Sequence, residues 1–112
     1  MKYLLLICAA EGRLPAPEEA ERMRATTEAW VTEMDGRGIR EQGHRLRPVR
    51  DARTVRVRKG RISVTDGPFV ETKEQIAGFD LIECASLEEA IEVASKHPVA
   101  SIGAVEVRPF FE

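Results

Sequence analysis

The sequence predicts an α+β fold of the ferredoxin-like sandwich type, in which two helices cover one face of an antiparallel sheet. Strand and helix patterns follow one another in a βαββαβ order, with a β-hairpin inserted between the second and third strands. The length of 112 residues, 43% of them hydrophobic, fits a single domain over residues 1–112. Two halves would each be too small to bury a core.

The first predicted strand, Lys2 to Ala9, is apolar on both of its faces. The two alternating sets are Tyr3, Leu5 and Ile7 on one side and Leu4, Leu6 and Cys8 on the other. Because two helices cannot cover both faces of one sheet, we expect the second face to be covered by the hairpin or by a partner. Face-to-face packing of two sheets in a homodimer is the simplest arrangement.

The first helix is predicted to begin at Pro17 and to end at Gly36 and Gly38, because proline suits the first turn and glycine the C-terminal cap. Its inward side chains recur at helical spacing: Ala20, Met23, Thr27, Trp30, Val31 and Met34. Residues Ile39 to Pro48 then form a weaker, polar strand candidate.

The next segment predicts a β-hairpin with a tight turn at Lys59 and Gly60. Such a turn places Val57 opposite Ile62 and Val55 opposite Val64, all on one face. The opposite face carries Arg56, Arg58 and Arg61.

A strand from Ile76 to Cys84 is followed by a helix that opens with a capping box, in which Ser86 is the N-cap and Glu89 reaches back. The inward positions of this helix are Leu87, Ala90, Ile91 and Ala94, before Pro98 ends it. We expect His97 to cap the helix end, where the dipole favours a cation.

The closing strand, Ile102 to Phe111, alternates Val105 and Val107 with Glu106 and Arg108. If the valines face the helices, the two charged side chains face the second layer, inside or at the rim of the dimer cleft. Buried opposite charges are retained when they pair or bind something. We interpret this pair either as ligand-binding residues or as an interchain salt bridge.

Charge is unevenly distributed along a chain whose formal net charge is −2. Arg37 to Arg61 carries ten basic side chains against two acidic ones, whereas Glu71 to Glu92 carries seven acidic side chains against Lys73 alone. We expect these regions to neutralise each other within the subunit or across the dimer. The net balance, without aromatic residues among the arginines, favours neither nucleic acid nor a membrane surface as partner.

The cysteines, Cys8 and Cys84, lie far apart and show no metal-binding or redox spacing, so we expect no metal and no cofactor. The N-terminal apolar run is too short for a signal peptide or a membrane span, and Glu11 and Arg13 follow it directly. We therefore expect a soluble cytoplasmic protein. The sequence contains no dinucleotide-binding glycine motif, P-loop or nucleophile elbow.

The segment from Asp66 to Glu74 concentrates three carboxylates and one ammonium group in nine residues. Its first three residues suit a turn on their own. A turn does not require Glu71, Lys73 or Glu74, which we interpret as a site for acid–base chemistry or polar ligand binding, with a solvated loop as the alternative. His44 is a further proton-transfer candidate, with a solvated imidazole as the alternative.

This segment, Asp66-Gly67-Pro68-Phe69-Val70-Glu71-Thr72-Lys73-Glu74, resembles the signature of the YCII-related family in its DGPF-type branch. The resemblance extends over nearly the whole chain. Its other parts are the MKYLLLI start, Leu46-Arg47-Pro48, Thr54-Val55-Arg56 with Gly60, Gly78-Phe79, Leu87-Glu88-Glu89-Ala90, His97-Pro98 and Glu106-Val107-Arg108-Pro109. The resemblance implies a ferredoxin-like fold assembled as a dimeric α/β-barrel.

The resemblance implies less about chemistry. DGPF-type members often stand beside extracytoplasmic-function sigma factors, and another branch carries a His–Asp pair suggested as an active site. In this sequence no aspartate stands at an equivalent spacing from His44.

Three functions follow as hypotheses. The first is a homodimer that binds a small polar ligand near the dimer interface and the segment from Asp66 to Glu74, here called the DGPF loop. The ligand-binding candidates are Phe69, Glu71, Lys73, Glu74, Glu106 and Arg108. The second is a cofactor-independent enzyme, by analogy with other proteins of this fold. Its catalytic candidates are His44, Asp66, Glu71 and Lys73. The third is an interaction module in sigma-factor-linked regulation, and the sequence leaves open whether the protein is an enzyme.

Overall fold

The computed structural model describes residues 1–11 and 16–111. The strands and helices of these residues are β1 (Lys2–Ala10), α1 (Pro17–Gly36), β2 (Arg40–Arg45), β3 (Arg53–Arg58), β4 (Arg61–Asp66), β5 (Glu74–Glu83), α2 (Leu87–Ser95) and β6 (Ala104–Pro109). Short 3-10 helices lie at Val49–Asp51 and Pro98–Ser101. The predicted element order is confirmed.

One antiparallel sheet has the strand order β2-β5-β1-β6. Without the inserted β3–β4 hairpin, this is the order that a ferredoxin-like βαββαβ chain produces. Residues of both helices and of one sheet face make up the buried core. The predicted α+β fold is confirmed.

The core lies between the helices and the odd-numbered side chains of β1. Its largest fully buried side chains are Tyr3, Leu5, Met34, Ile82 and Val93. Trp30 joins the two helices, because its indole Nε1–H donates to the Val93 carbonyl at 2.9 Å. Val105 and Val107 of β6 pack against the same core, as the alternation in the closing strand predicted.

The helices bury narrower stripes than the sequence predicted. In α1, Trp30 and Met34 are buried, whereas Ala20 at the other end is exposed. In α2, Ala90 and Ala94 are buried as predicted, together with Val93, but Leu87 and Ile91 are exposed. Ala90 and Ala94 belong to two overlapping stripes of the helix surface, one with Leu87 and Ile91 and the other with Val93. The stripe that contains Val93 faces the core.

The capping box of α2 is confirmed. Ser86 Oγ accepts the Glu89 N–H at 3.2 Å, and Glu89 Oε1 accepts the Ala85 N–H at 2.8 Å. Together these bonds satisfy two backbone donors at the start of the helix.

His97 caps the 3-10 helix at Pro98–Ser101, where its Nδ1 accepts the Val99 N–H at 3.1 Å. The imidazole is buried edge-on against Trp30, and this burial lowers the pKa of His97. His97 therefore caps the start of the following 3-10 helix as a neutral acceptor, and not the end of α2 as the predicted cation.

The buried His97 makes the free energy of unfolding pH-dependent. Because its pKa is lowered only in the folded state, the unfolded chain takes up a proton first as the pH falls through about 6.5. We expect His97→Asn, which retains a cap acceptor, to be less stable than wild type at pH 7.5 and to lose less stability than wild type on acidification to pH 5. Urea denaturation across this range measures the difference in the free energy of unfolding between variant and wild type. A difference that stays constant with pH would contradict the buried, neutral state of His97.

The β3–β4 hairpin, here called the arm, forms its own two-stranded sheet with the predicted register, Val57 opposite Ile62 and Val55 opposite Val64. Lys59 and Gly60 have positive φ angles of 52° and 75°, as a two-residue type I′ turn requires. The apolar face of the arm is exposed in this structure.

Candidate functional site

The face of the four-stranded sheet that points away from the helices, here called the open face, is lined by apolar side chains. In β1 and β5, Leu4 lies opposite Leu81 and Leu6 opposite Phe79. These side chains are only half-buried, in contrast to the buried set on the helix side. The double apolar pattern of the first strand therefore corresponds to two faces in different environments.

A groove of about 700 Å³ opens at one end of this sheet, where β1 ends and β5 and β6 begin. It is lined by Cys8, Thr72, Lys73, Glu74, Ala104, Val105 and Glu106. The size falls within the range of small-molecule sites. The groove thus brings together the DGPF loop, the first strand and the closing strand.

Charged groups of both signs surround the groove. Glu106 forms an ion pair with Arg108 on the same strand. The side chains of Lys73 and Glu74 form no ion pair with any described residue, so both stay available to a ligand. A ligand that carries complementary polar groups would find an ammonium donor and carboxylate acceptors side by side.

The Cys8 thiol lies in this negative environment. Burial raises the pKa of Cys8, and the carboxylates of Glu106 and Glu74 raise it further. The thiol is therefore protonated at neutral pH. A thiol in that state is a poor nucleophile, so the groove is better suited to binding than to cysteine-based catalysis.

The backbone of the DGPF loop is held at both of its ends. Gly67 has a φ of 95°, a conformation that suits glycine, and its N–H donates to the Ala52 carbonyl at 2.9 Å. At the other end, Gln75 Nε2 donates to the carbonyls of Val70 at 3.0 Å and Thr72 at 3.2 Å. These bonds fix the segment that carries Lys73 into the groove.

Three predicted site residues of the same loop lie outside the groove lining. Asp66 pairs with Arg53 at 3.1 Å at the base of the arm. Phe69 is 75% exposed, and the Arg56 guanidinium stacks over its ring at 5.5 Å. Glu71 is exposed and makes no ion pair with the described residues.

His44 lies on the edge strand β2, opposite Phe79, with 5.7 Å between the ring centroids. The neighbouring Asp80 lies opposite Gly43, so its side chain and that of His44 project to opposite faces of the sheet. The structure thus forms no His–Asp pair at this position. His44 is not among the residues that line the groove.

Asp80 is a buried carboxylate that the sequence did not single out. Its Oδ1 accepts a hydrogen bond from Arg40 Nε at 2.8 Å. Burial raises the pKa of Asp80, and Arg40 offsets only part of that effect. Gly43 makes room for the pair, because a Cβ there would clash with the Asp80 carboxylate.

The acidic residues of the later half pair with cations outside the arm. Arg37 Nη2 donates to Glu92 at 2.9 Å, and Lys96 Nζ to Glu33 at 3.0 Å, which ties α1 to α2. Within the described residues, Arg56, Arg58 and Arg61 form no ion pair. The expected neutralisation is thus present where Arg37 and Arg40 pair with acids of the later half, but it is absent for the arginine face of the arm in the described part of a single subunit.

Cys8, Thr72 and Ala104 line the groove although the sequence did not indicate them. The position of Cys8 depends on its register opposite Ala104, which no local pattern specifies. Among the described residues, no helix is long and apolar enough to cross a membrane, and no cluster of three or more potential ligands could hold a metal ion.

The fold and the groove define a small ferredoxin-like α+β protein with a polar groove at one end of its sheet. The YCII-related domain model matches residues 1–112, and the chain belongs to that family. It is also similar to an uncharacterised protein of Rhizobium meliloti (strain 1021), at 43% identity over 76% of this chain and 82% of the relative.

Proposed function

We propose that this protein is a single-domain cytoplasmic homodimer of the DGPF-type branch that binds a small polar molecule in the groove. The observation that carries the proposal is the convergence of Lys73, Glu74 and Glu106 from two separate segments around one ligand-sized space. A loop that is merely solvated would not require Lys73 and Glu74, which form no ion pair with any described residue, to line a groove beside the closing strand.

The homodimer is supported by the open face of the sheet. Leu4, Leu6, Phe79 and Leu81 form a contiguous apolar stripe opposite the helices. Packing of two such faces against each other would remove the stripe from water. The groove would then lie at the edge of the interface.

Binding is favoured over acid–base catalysis because the catalytic candidates do not converge. His44 projects from the edge strand beside Phe79, whereas Asp66 is engaged by Arg53 at the base of the arm. Lys73 remains as the candidate that lines the groove. A lone ammonium beside carboxylates suits the recognition of a polar ligand.

A panel of amines, amino acids, carboxylic acids and polyols, screened by thermal shift and then by calorimetry, tests the proposal. At 100 times its Kd, a ligand of the native state adds about 2.7 kcal/mol to the free energy of unfolding. We expect Glu74→Gln and Lys73→Gln each to weaken the Kd of a hit about tenfold or more.

Glu28→Gln is the matched control, because Glu28 is exposed on α1, away from the groove. We expect its Kd to equal that of wild type. The proposal is wrong if every hit binds the Lys73 and Glu74 variants as tightly as it binds the control.

A further inference from the structure

The face of the arm opposite its valines, here called the arginine face, brings like charges close together. Arg58 lies directly opposite Arg61 in the register, and Lys59 stands between them in the turn. Like charges directly opposite each other destabilise a strand pair. Arg58 donates to the Val57 carbonyl at 3.1 Å, and none of the three cations pairs with a carboxylate of the described chain. An anion between the two guanidinium groups would relieve this repulsion.

An exposed aromatic ring extends the arginine face away from the turn. The guanidinium of Arg56 stacks over the Phe69 ring at 5.5 Å, and Phe69 nevertheless remains 75% exposed. The exposed Ser63 lies opposite Arg56 on the same face. Guanidinium groups, a hydroxyl group and an aromatic surface thus follow one another along a strip about 20 Å long, the length of a six-residue strand.

The acids of the chain itself do not supply the missing anion. Glu89 and Glu92 of α2 pair with Arg37, and Asp66 at the base of the arm pairs with Arg53. A second copy of the chain carries the same pairs and would have to break them to cover the arginine face. The charge complement of this face is therefore better provided by a different molecule.

We propose that the arginine face binds an acidic, extended segment of a partner protein. Its carboxylates lie across Arg58 and Arg61, where each guanidinium can donate two parallel hydrogen bonds to one carboxylate. A neighbouring apolar side chain of the segment rests on Phe69. This surface is separate from the groove, because none of its residues line the groove.

The charges around the arm favour a peptide over a nucleic acid. A nucleic acid carries a phosphate at every nucleotide, so its charge continues past a strip of about 20 Å. Beyond the strip it would meet the exposed carboxylate of Glu71, two residues after Phe69, on a chain whose formal net charge is −2. A peptide can place a few carboxylates on the arm and then turn away.

Fluorescence anisotropy with labelled synthetic peptides tests the inference on the full chain. One peptide alternates glutamate and serine around a central leucine, and a second has glutamine in place of each glutamate. We expect wild type to bind the glutamate peptide, and not the glutamine peptide, at about 10 mM NaCl, where the Debye length is about 30 Å. We expect binding to weaken at about 150 mM NaCl, where that length is about 8 Å.

The double variant Arg58→Gln/Arg61→Gln removes both charges but keeps long polar side chains. We expect it to raise the Kd of the glutamate peptide about tenfold or more. Arg22→Gln/Arg24→Gln is the matched control, because it removes the same charge from exposed positions of α1. We expect the control to bind the peptide as wild type does.

The contribution of Phe69 is measured with a third peptide that has serine in place of the central leucine. We expect wild type to bind the leucine peptide more tightly than the serine peptide, and Phe69→Ala to lose this difference. Unchanged circular dichroism and Trp30 fluorescence show that the core of each variant is folded.

Several outcomes would overturn the inference. A wild type that does not bind the glutamate peptide at low salt, or equal Kd changes in the double variant and the α1 control, would reduce the arginine face to general surface charge. A labelled oligothymidine that binds more tightly than the peptide, and depends on Arg58 and Arg61, would assign the face to nucleic acid. A double variant with a weaker dimer in sedimentation equilibrium, when wild type ignores the peptide, would assign these arginines to a second copy.

Discussion

Trp30→Ala is expected to reduce the free energy of unfolding by about 3–5 kcal/mol, the usual cost of removing a large aromatic side chain from a core. The indole is buried between the two helices, donates to the Val93 carbonyl at 2.9 Å and packs edge-on against His97. The variant therefore leaves a cavity at the point where α1 meets α2. Urea denaturation followed by far-ultraviolet circular dichroism measures the loss.

Trp30→Phe separates packing from hydrogen bonding at the same position. The phenyl ring retains most of the contact, and the Val93 carbonyl keeps the Lys96 N–H as a donor at 3.3 Å. We expect this variant to cost about 1 kcal/mol for the lost hydrogen bond, plus a smaller packing loss. If Trp30→Ala cost no more than Trp30→Phe, the proposed role of the indole in joining the helices would be wrong.

Asp80→Ala is expected to destabilise the protein by about 3 kcal/mol, because it leaves the guanidinium of Arg40 partly buried without its main partner. The double variant Arg40→Met/Asp80→Leu removes both charges. Since the ion pair only partly offsets the burial of Asp80, we expect this variant to unfold within about 1 kcal/mol of wild type. Equal losses in the single and double variants would contradict this account of the pair.

Residue alternation predicted much of the fold, because the side chains of a strand change face at every residue. It identified the two faces of β1, the inward Val105 and Val107, and the turn at Lys59 and Gly60. Local capping chemistry likewise located the start of α2 at Ser86. These features depend on neighbours in the sequence.

The remaining features depend on contacts between distant segments. Whether α2 buries Val93 or Ile91 is decided by its rotation against the sheet, since two overlapping stripes were available. The placement of Cys8 beside Ala104, and hence in the groove, follows from the β1–β6 register. The unpaired arginines of the arm follow from its separation from the acidic helix α2, which pairs with Arg37 instead.

The same distinction applies to the candidate site. Lys73, Glu74 and Glu106 were predicted separately, from loop chemistry and from strand alternation, and the groove lies between them. Asp66 and Phe69 share the loop but contact Arg53 and Arg56 of the arm, and Glu71 also lies outside the groove lining. Membership of the same loop therefore predicted the groove-lining residues less well than position at the end of a strand did.

Backbone amide chemical shifts of wild-type protein, titrated with a hit from the small-molecule panel, test the central claim most directly. The account predicts that the largest changes occur at the residues lining the groove, Cys8, Thr72, Lys73, Glu74, Ala104, Val105 and Glu106, and that they saturate with one ligand per subunit. Changes centred on His44 and Phe79 instead, with none at the groove, would contradict it.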